Sequence, residues 1–449
     1  MSNETSASGG LVKEVICPNC WERFAPESTL YVSAHQDLFG DLRLGPQQQR
    51  RFLPTRFHTD GRALDSKGES CHELACPRCH LSVPRILMER PSFFASIFGS
   101  PSSGKSYLLA AMTHRLRTVL PKSFAVDFSD ADPQANAILH GYEDTLFGGG
   151  GNPNALVHLR KTEEVGDWYQ KVFYGTREIP YPRPFFFQIS PVGGHPFEHN
   201  PAAVSRTLCI YDNAGESFQP GADRPDNPVT QHMAKSGCMM FVFDPTQEPE
   251  FRKLLATLSN DVQVRGHVTS RQEVLLAEAA RRVKIYRGLP ANTKHDKPLI
   301  VLVNKYDVWQ KLLSNSTLPD PWESHSSHRF SVLRTDYIEK VSATVCNVLR
   351  KYTPSIVSTA ESFVDPKKII YIPVSATGGS PELGSDGLLA HRACALKPMW
   401  VEVPLLYVLS QYGSMGQSGG GIIPYYSPKT KQRTVGTTPA APETNGDAS

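Results

Sequence analysis

The sequence has no apolar run near the roughly 20 residues that a helix needs to cross a bilayer. Its longest, Pro298 to Val303 and Cys238 to Phe243, are of strand length. The opening MSNETSASGG lacks the basic and apolar segments of a secretory signal. No transmembrane segment is therefore expected, and a cytoplasmic location follows as the expectation. Neither sign of charge dominates: 47 Lys and Arg against 44 Asp and Glu leave a formal net charge of +3, too little to imply a nucleic-acid or membrane surface by bulk electrostatics. Cysteine is sparse and odd in number, nine in all, and four of the nine form two Cys-x-x-Cys pairs. In a reducing compartment that pattern points to metal binding rather than disulfides. Cys71, Cys209, Cys238, Cys346 and Cys394 remain, and Cys209 and Cys238 lie in apolar strand-like runs, as small buried hydrophobes do. No internal repeat is present.

What is there suffices for a full core, 40% of 449 residues being hydrophobic. Residues 1–10 and 414–449 are rich in Ser, Gly, Thr, Pro and Asn and are expected to be disordered tails. Residues 11–90 carry short apolar runs broken by Pro, Gly and the paired cysteines, a small domain of strands and turns. From residue 91 to 413, strand-like and helix-like runs alternate, which predicts an α/β fold with a mostly parallel sheet covered by helices. Expected strands are Phe93 to Phe98, Arg206 to Tyr211, Cys238 to Phe243, Leu299 to Val303 and Lys368 to Pro373. Expected helices are Lys105 to Leu120, Phe251 to Val262, Arg271 to Arg287, Ser331 to Lys351 and Val401 to Tyr412.

Gly99-Ser-Pro-Ser102-Ser103-Gly104-Lys105-Ser106 is a Gly-x4-Gly-Lys-Ser phosphate loop between the strand FFASIF and an amphipathic helix that continues with Tyr107. Glycine lets such a loop turn tightly, so that backbone N–H groups and the helix N-terminus face phosphate oxygens. Lys105 should reach the β- and γ-phosphates, and Ser106 should ligate Mg²⁺. Asp212-Asn-Ala-Gly215 ends a second strand. Asp212 would hold Mg²⁺ through water, and Gly215 would offer its N–H to the γ-phosphate; alone, this four-residue pattern is weak. Asn304-Lys305-Tyr306-Asp307 follows the strand LIVLV. An aspartate there accepts from guanine N1–H and its 2-amino group, which adenine cannot match, while the Lys305 stem covers the base. Ser375-Ala376-Thr377 follows KKIIYIPV, where small residues let a backbone N–H approach the guanine oxygen.

With GSPSSGKS, DNAG, NKYD and SAT in this order, each after a candidate strand, the chain resembles the Ras-like P-loop GTPases. The cysteine-paired segment before that domain is similar to the bacterial double-GTPase family. The resemblance implies a GTP-binding switch that hydrolyses GTP slowly to GDP and phosphate with Mg²⁺, in a bacterial signalling or conflict system; a GTP-binding scaffold without useful turnover is the second reading. The chain departs from the pattern in two places. Glu216 stands where such enzymes usually carry a glutamine that orients water; a carboxylate accepts a water proton but is repelled by phosphate, and a solvated loop glutamate is the alternative. About ninety residues separate the first helix from Asp212, so residues 122–158 read as an insertion. Arg160-Lys-Thr162 just after it resembles the Arg/Thr switch segment of heterotrimeric G-protein alpha subunits, with Thr162 on Mg²⁺ and Arg160 as an arginine finger; the alternative is a basic surface turn.

Cys17-Pro-Asn-Cys20 and Cys76-Pro-Arg-Cys79 together offer four thiolates to a tetrahedral Zn²⁺, with a redox dithiol or unliganded core cysteines as alternatives. His72, His80 and Cys71 are spare potential ligands, with surface or packing roles as the reading favoured over ligation. A zinc ribbon docks proteins or nucleic acids. Arg43, Arg50, Arg51 and Arg56 form a modest basic cluster, so a protein partner is expected through the ribbon or the switch segments, and a GTP-regulated nucleic-acid factor is the third reading.

Overall fold

The computed structural model describes residues 10–148, 152, 154–159, 169–212, 230–266, 270–313, 317–324, 329–385, 387–411 and 421–426. Its centre is a seven-stranded sheet of β1 (Ser92–Gly99), β2 (Val126–Asp130), β3 (Phe185–Pro191), β4 (Arg206–Asp212), β5 (Cys238–Phe243), β6 (Leu299–Val303) and β7 (Ile369–Pro373). The order is β2-β3-β4-β1-β5-β6-β7. Strands β4, β1, β5, β6 and β7 are mutually parallel, and β3 is antiparallel to both neighbours. The longer helices are α1 (Lys105–Phe124), α2 (Ala137–Phe147), α3 (Pro249–Leu258), α4 (Gln272–Arg287), α5 (Thr335–Tyr352), α6 (Pro354–Phe363) and α7 (Val403–Gln411). Among the described residues, no helix is long and apolar enough to cross a membrane.

Side chains alternate across each strand, so the sheet has two apolar faces. One receives Leu208, Ile210, Met240, Val242, Ile300 and Leu302 and packs on α1, α2 and α7. The other face is divided. Under β5, β6 and β7 it receives Phe241, Phe243 and Val301 against α3, α4 and α6. Under β1, β3 and β4 it receives Phe94, Phe186, Cys209 and Tyr211, and there the cover is the cysteine lobe: Val15, Trp21, Leu87 and the four paired cysteines lie in the same buried cluster. The small N-terminal domain expected at residues 11–90 thus shares a core with the sheet. It takes the place that a helix layer would occupy. The hairpin Tyr169–Tyr174 with Arg177–Pro182 contributes Val172 and Tyr181 to this core, and Phe173 donates its N–H to the Arg43 carbonyl, 2.7 Å.

Helix α1 runs on past Leu120 through Pro121 to Phe124. Proline normally kinks or ends a helix, but Phe124 is fully buried and Ala125 closes the helix in the left-handed region, so packing overrides the local signal. The described residues of the expected insertion at 122–158 pack into the fold. It adds β2 to the sheet edge and α2 to the face of α1, where Arg117 bonds Asp130 (2.9 Å) and Glu143 (3.2 Å). The helix expected from Ser331 begins later, because Ser331–Arg334 is a strand paired with Trp322–Ser324 and Tyr425–Tyr426. The helix expected from Phe251 ends at Leu258, and Asp261 caps a separate short turn, Val262–Arg265. Unanticipated elements are β3 and α6; the latter carries Pro354 in its first turn, a start signal present in the sequence.

The expected tail from 414 departs from the structure at residues 421–426. Ile422 and Ile423 are buried in the main core, and the Ile422 carbonyl accepts from His195 Nε2, 2.8 Å. A low-complexity stretch therefore hides a two-residue apolar anchor. Ile423→Ala is expected to lower stability by about 2–5 kcal/mol through lost burial and a residual cavity. A denaturant midpoint unchanged from wild type would show that the anchor contributes nothing.

Candidate nucleotide and metal sites

The phosphate loop joins β1 to α1, with Ser102 (φ 59°) and Gly104 (φ 86°) in the left-handed region. Such turns aim successive amides into one concavity. Gly99 is required by close approach: a Cβ there would meet the Val242 carbonyl of β5 at 2.6 Å. A Cβ on Gly104 would lie 2.9 Å from Asn304 Nδ2. Lys105 is buried and donates to the carbonyls of Gly99 (3.2 Å) and Ser100 (2.9 Å), placing its ammonium group inside the loop.

Ser106 Oγ donates to Asp212 Oδ2, 3.2 Å. Burial pushes Asp212 up to about 6, with the Lys105 charge and the Ser106 hydroxyl opposing that shift. Its second oxygen, Asp212 Oδ1, is buried with no hydrogen-bond partner among the described residues, as are Ser103 Oγ and Asn304 Oδ1. Leaving such groups unpaired costs about 1–3 kcal/mol each. A hard cation beside Ser106 and Asp212 suits these oxygen donors. Gly215, Glu216, Arg160 and Thr162 lie outside the described residues.

Asn304, Lys305 and Asp307 follow β6, and Ser375, Ala376 and Thr377 follow β7, at the carboxyl edge where open α/β sheets bind ligands. Asn304 Nδ2 donates to the Ser103 carbonyl, 2.8 Å, tying the NKYD loop to the phosphate loop. Lys305 Nζ pairs with Asp244 Oδ2 (2.6 Å) and donates to Thr246 Oγ1 (3.0 Å). Ser375 Oγ donates to Asp307 Oδ1, 2.5 Å. Burial raises Asp307 above the ordinary carboxylate value and Asp261 adds to this, while the Ser375 hydrogen bond and Lys305 oppose it. A cavity of about 120 Å³ is lined by Ser102, Gly104 and Tyr107 from the loop after β1 and the start of α1, and by Asn304, Lys305 and Asp307 from the loop after β6. Ser375, Ala376 and Thr377 from the loop after β7 also line it, as do Leu389 and His391.

No protein-family model matches the chain, and no curated protein matches it. Among solved structures, the chain is similar to the GTPase-like domain of S. cerevisiae Ski7 bound to GTP, at 15% identity over 73% of this chain and 52% of that chain, TM-score 0.26. The same domain bound to GDP and inorganic phosphate gives 15% identity over 71% and 50%, TM-score 0.24. Sup35 complexed with GDP gives 15% over 66% and 41%, TM-score 0.20. The chain thus spans about half or less of the length of these proteins. Superpositions this loose transfer no residue role to this chain.

Several positioning residues carried no local sequence signal. The Gln272 side chain at the start of α4 clasps Asp244, accepting from its backbone N–H (2.9 Å) and donating to its carbonyl (2.8 Å). Gln247 accepts from Ser100 Oγ (2.8 Å) and donates to the Pro101 carbonyl (3.0 Å). Single glutamines become legible only once the fold brings them under the phosphate loop.

The four paired cysteines meet, their sulfurs all within 4.8 Å of one another and all buried. Cys17 and Cys79 sulfurs are 3.8 Å apart, Cys20 and Cys76 3.7 Å. A tetrahedron with Zn–S of about 2.3 Å has sulfur edges of about 3.8 Å, so the set fits Zn²⁺. The two knuckles share one geometry. Trp21 (φ 57°) and His80 (φ 63°) each follow the second cysteine in the left-handed region. Trp21 N–H reaches the Cys17 carbonyl at 2.9 Å, and His80 N–H the Cys76 carbonyl at 3.0 Å. His80 is bonded to Asp41, 2.8 Å, and Cys71 and His72 are not in the sulfur cluster. The first knuckle backs the strand that carries Asp212: Tyr211 donates to the Pro18 carbonyl and accepts from Trp21 Nε1, 3.2 Å.

Proposed function

We propose that this chain is a guanine-nucleotide switch that binds GTP with Mg²⁺ and hydrolyses it slowly to GDP and phosphate. The observation that carries the reading is convergence: the phosphate loop, the NKYD loop and the SAT loop leave three parallel strands and line one cavity. Lys105 and the loop amides would hold the phosphates, and Asp307 would hold the guanine edge. Ser106 and Asp212 would hold Mg²⁺, with Thr162 a further candidate; the ion supplies charge neutralisation at the phosphates. Glu216 as a weak water-orienting base, Arg160 as a finger and Gly215 as the γ-phosphate contact belong to the same proposal. The Zn²⁺ is read as structural.

A protein partner is read for the cysteine lobe, which carries an apolar groove lined by Tyr31, Leu53, Pro54, Phe57 and Met88, with Leu53 and Phe57 more than half exposed. The nucleic-acid reading loses support from its own arginines. Arg43 lies 4.4 Å over the Tyr174 ring, and Arg51 donates to the His80 carbonyl at 3.1 Å.

Asp307→Asn tests the base assignment. Losing the carboxylate is expected to weaken GTP binding by roughly 2–5 kcal/mol, since guanine donors are left unpaired. Preference should shift toward xanthosine triphosphate, whose oxygen replaces the 2-amino group and accepts from the asparagine amide. Wild type that binds ATP as tightly as GTP, or a variant with unchanged base preference, overturns the reading. Single-turnover hydrolysis then separates a switch from a scaffold without turnover.

A further inference from the structure

We infer that His391 is a wall of the base site, its imidazole stacking on the purine ring of the bound nucleotide. The inference rests on the nucleotide reading above and adds a residue outside all four loops that the sequence brought forward.

The chain leaves the base-contacting loop at Thr377 and returns to it at Lys397. Lys397 N–H donates to the Thr377 carbonyl (2.9 Å), and Ser375 and Met399 exchange backbone bonds of 3.0 and 2.8 Å. Gly378 is obligatory at the exit, since a Cβ there would lie 2.1 Å from the Lys397 carbonyl. Between these points, Leu389–Arg392 forms the middle strand of a three-stranded sheet, paired with Glu382–Leu383 and with Leu156–Val157 from the insertion. Residues two apart on a strand share a face. Leu389 and His391 both line the 120 Å³ cavity, together with Lys305 and Asp307, whereas Ala390 between them is buried on the opposite face.

His391 is held in place. Its ring meets that of Tyr107 edge-on, centroids 5.9 Å apart at 62°, and the Tyr107 hydroxyl accepts from Leu159 N–H, 2.9 Å. Burial lowers the imidazole below its ordinary value; Asp261 opposes this and Lys305 adds to it. A neutral imidazole presents a flat face that costs less to desolvate than the cation would. Asp261 is itself buried, its Oδ2 without a partner among the described residues, and its charge is felt by both Asp307 and His391. The base edge is thus specified by polar groups, and the base face needs an aromatic or apolar surface to exclude water. Aromatic stacking on a base contributes about 1–3 kcal/mol.

The test measures GDP and inorganic triphosphate binding by calorimetry to wild type, His391→Ala and His391→Phe. Truncation is expected to weaken GDP binding roughly tenfold, with phenylalanine restoring it to within about twofold of wild type. Inorganic triphosphate, which has no base, should bind all three proteins alike. GDP bound equally by wild type and His391→Ala overturns the inference and leaves the nucleotide reading standing. So does a variant that loses triphosphate in the same proportion, or a phenylalanine that does not restore binding. Wild type that binds neither ligand overturns both readings.

Discussion

Lys105→Ala is expected to abolish tight guanine-nucleotide binding while the protein keeps its fold and its zinc. The ammonium group sits inside the phosphate loop, bonded to the carbonyls of Gly99 and Ser100. It is positioned before any ligand arrives, so binding incurs little ordering cost at this side chain. Removing a buried countercharge from a polyphosphate costs roughly 2–5 kcal/mol or more, about 30- to several-thousand-fold in affinity. A stability loss of about 1–3 kcal/mol should accompany this, since Gly99 and Ser100 are buried and their carbonyls lose a donor. Calorimetry with GDP, metal analysis and a denaturant melt check the three parts. A variant that binds GDP as wild type does would remove the phosphate-loop assignment, and with it the proposed function.

Cys17→Ser is expected to release about one Zn²⁺ per chain and to destabilise the whole protein, not the N-terminal lobe alone. Structural zinc contributes apparent binding energies of about 10–16 kcal/mol to the folds that hold it. Here the lobe is the main cover, among the described residues, of Phe94, Phe186, Cys209 and Tyr211. Burial also raises the Cys17 and Cys79 thiols, so buried thiolates in this cluster depend on the cation for their charge. Thermal unfolding of wild type should therefore show one transition, and the variant should show that same transition at a much lower temperature. Nucleotide binding should fall with it, because Tyr211, bonded to Pro18 and Trp21 of the first knuckle, directly precedes Asp212. Two transitions, of which the substitution moves only the lower, would restore the picture of an independent domain. Zinc-free wild type would dispose of the metal assignment.

Much of the site was legible because its chemistry is local. A phosphate loop needs glycine and lysine at set offsets within eight residues, a base loop needs its aspartate within four, and each knuckle spans four. These requirements are met by consecutive residues, and each nucleotide loop follows an apolar run that is a strand on its own period. The central strands β1, β4, β5, β6 and β7 were readable for the same reason. They are buried on both faces and appear as short continuous apolar runs. Strand β3 did not stand out, bounded by Pro184 and Pro191, and Ile422 and Ile423 were lost in a run of glycine and serine.

The sequence by itself determined the inventory of residues: a Gly-x4-Gly-Lys-Ser loop, an Asn-Lys-x-Asp loop, an aspartate at the end of an expected strand, and four paired cysteines. Only the tertiary structure decided which of these share a body. Whether a four-cysteine lobe hangs on a linker or covers half a sheet depends on Trp21, Phe94, Phe186 and Tyr211 meeting across up to 190 positions of chain, and no periodicity encodes a partner that distant. The same holds for His391, one histidine in a strand with no motif around it, and for Gln247 and Gln272 beneath the phosphate loop. Their roles come from the points to which the backbone returns, set by the summed packing of three clusters rather than by the residues on either side of them.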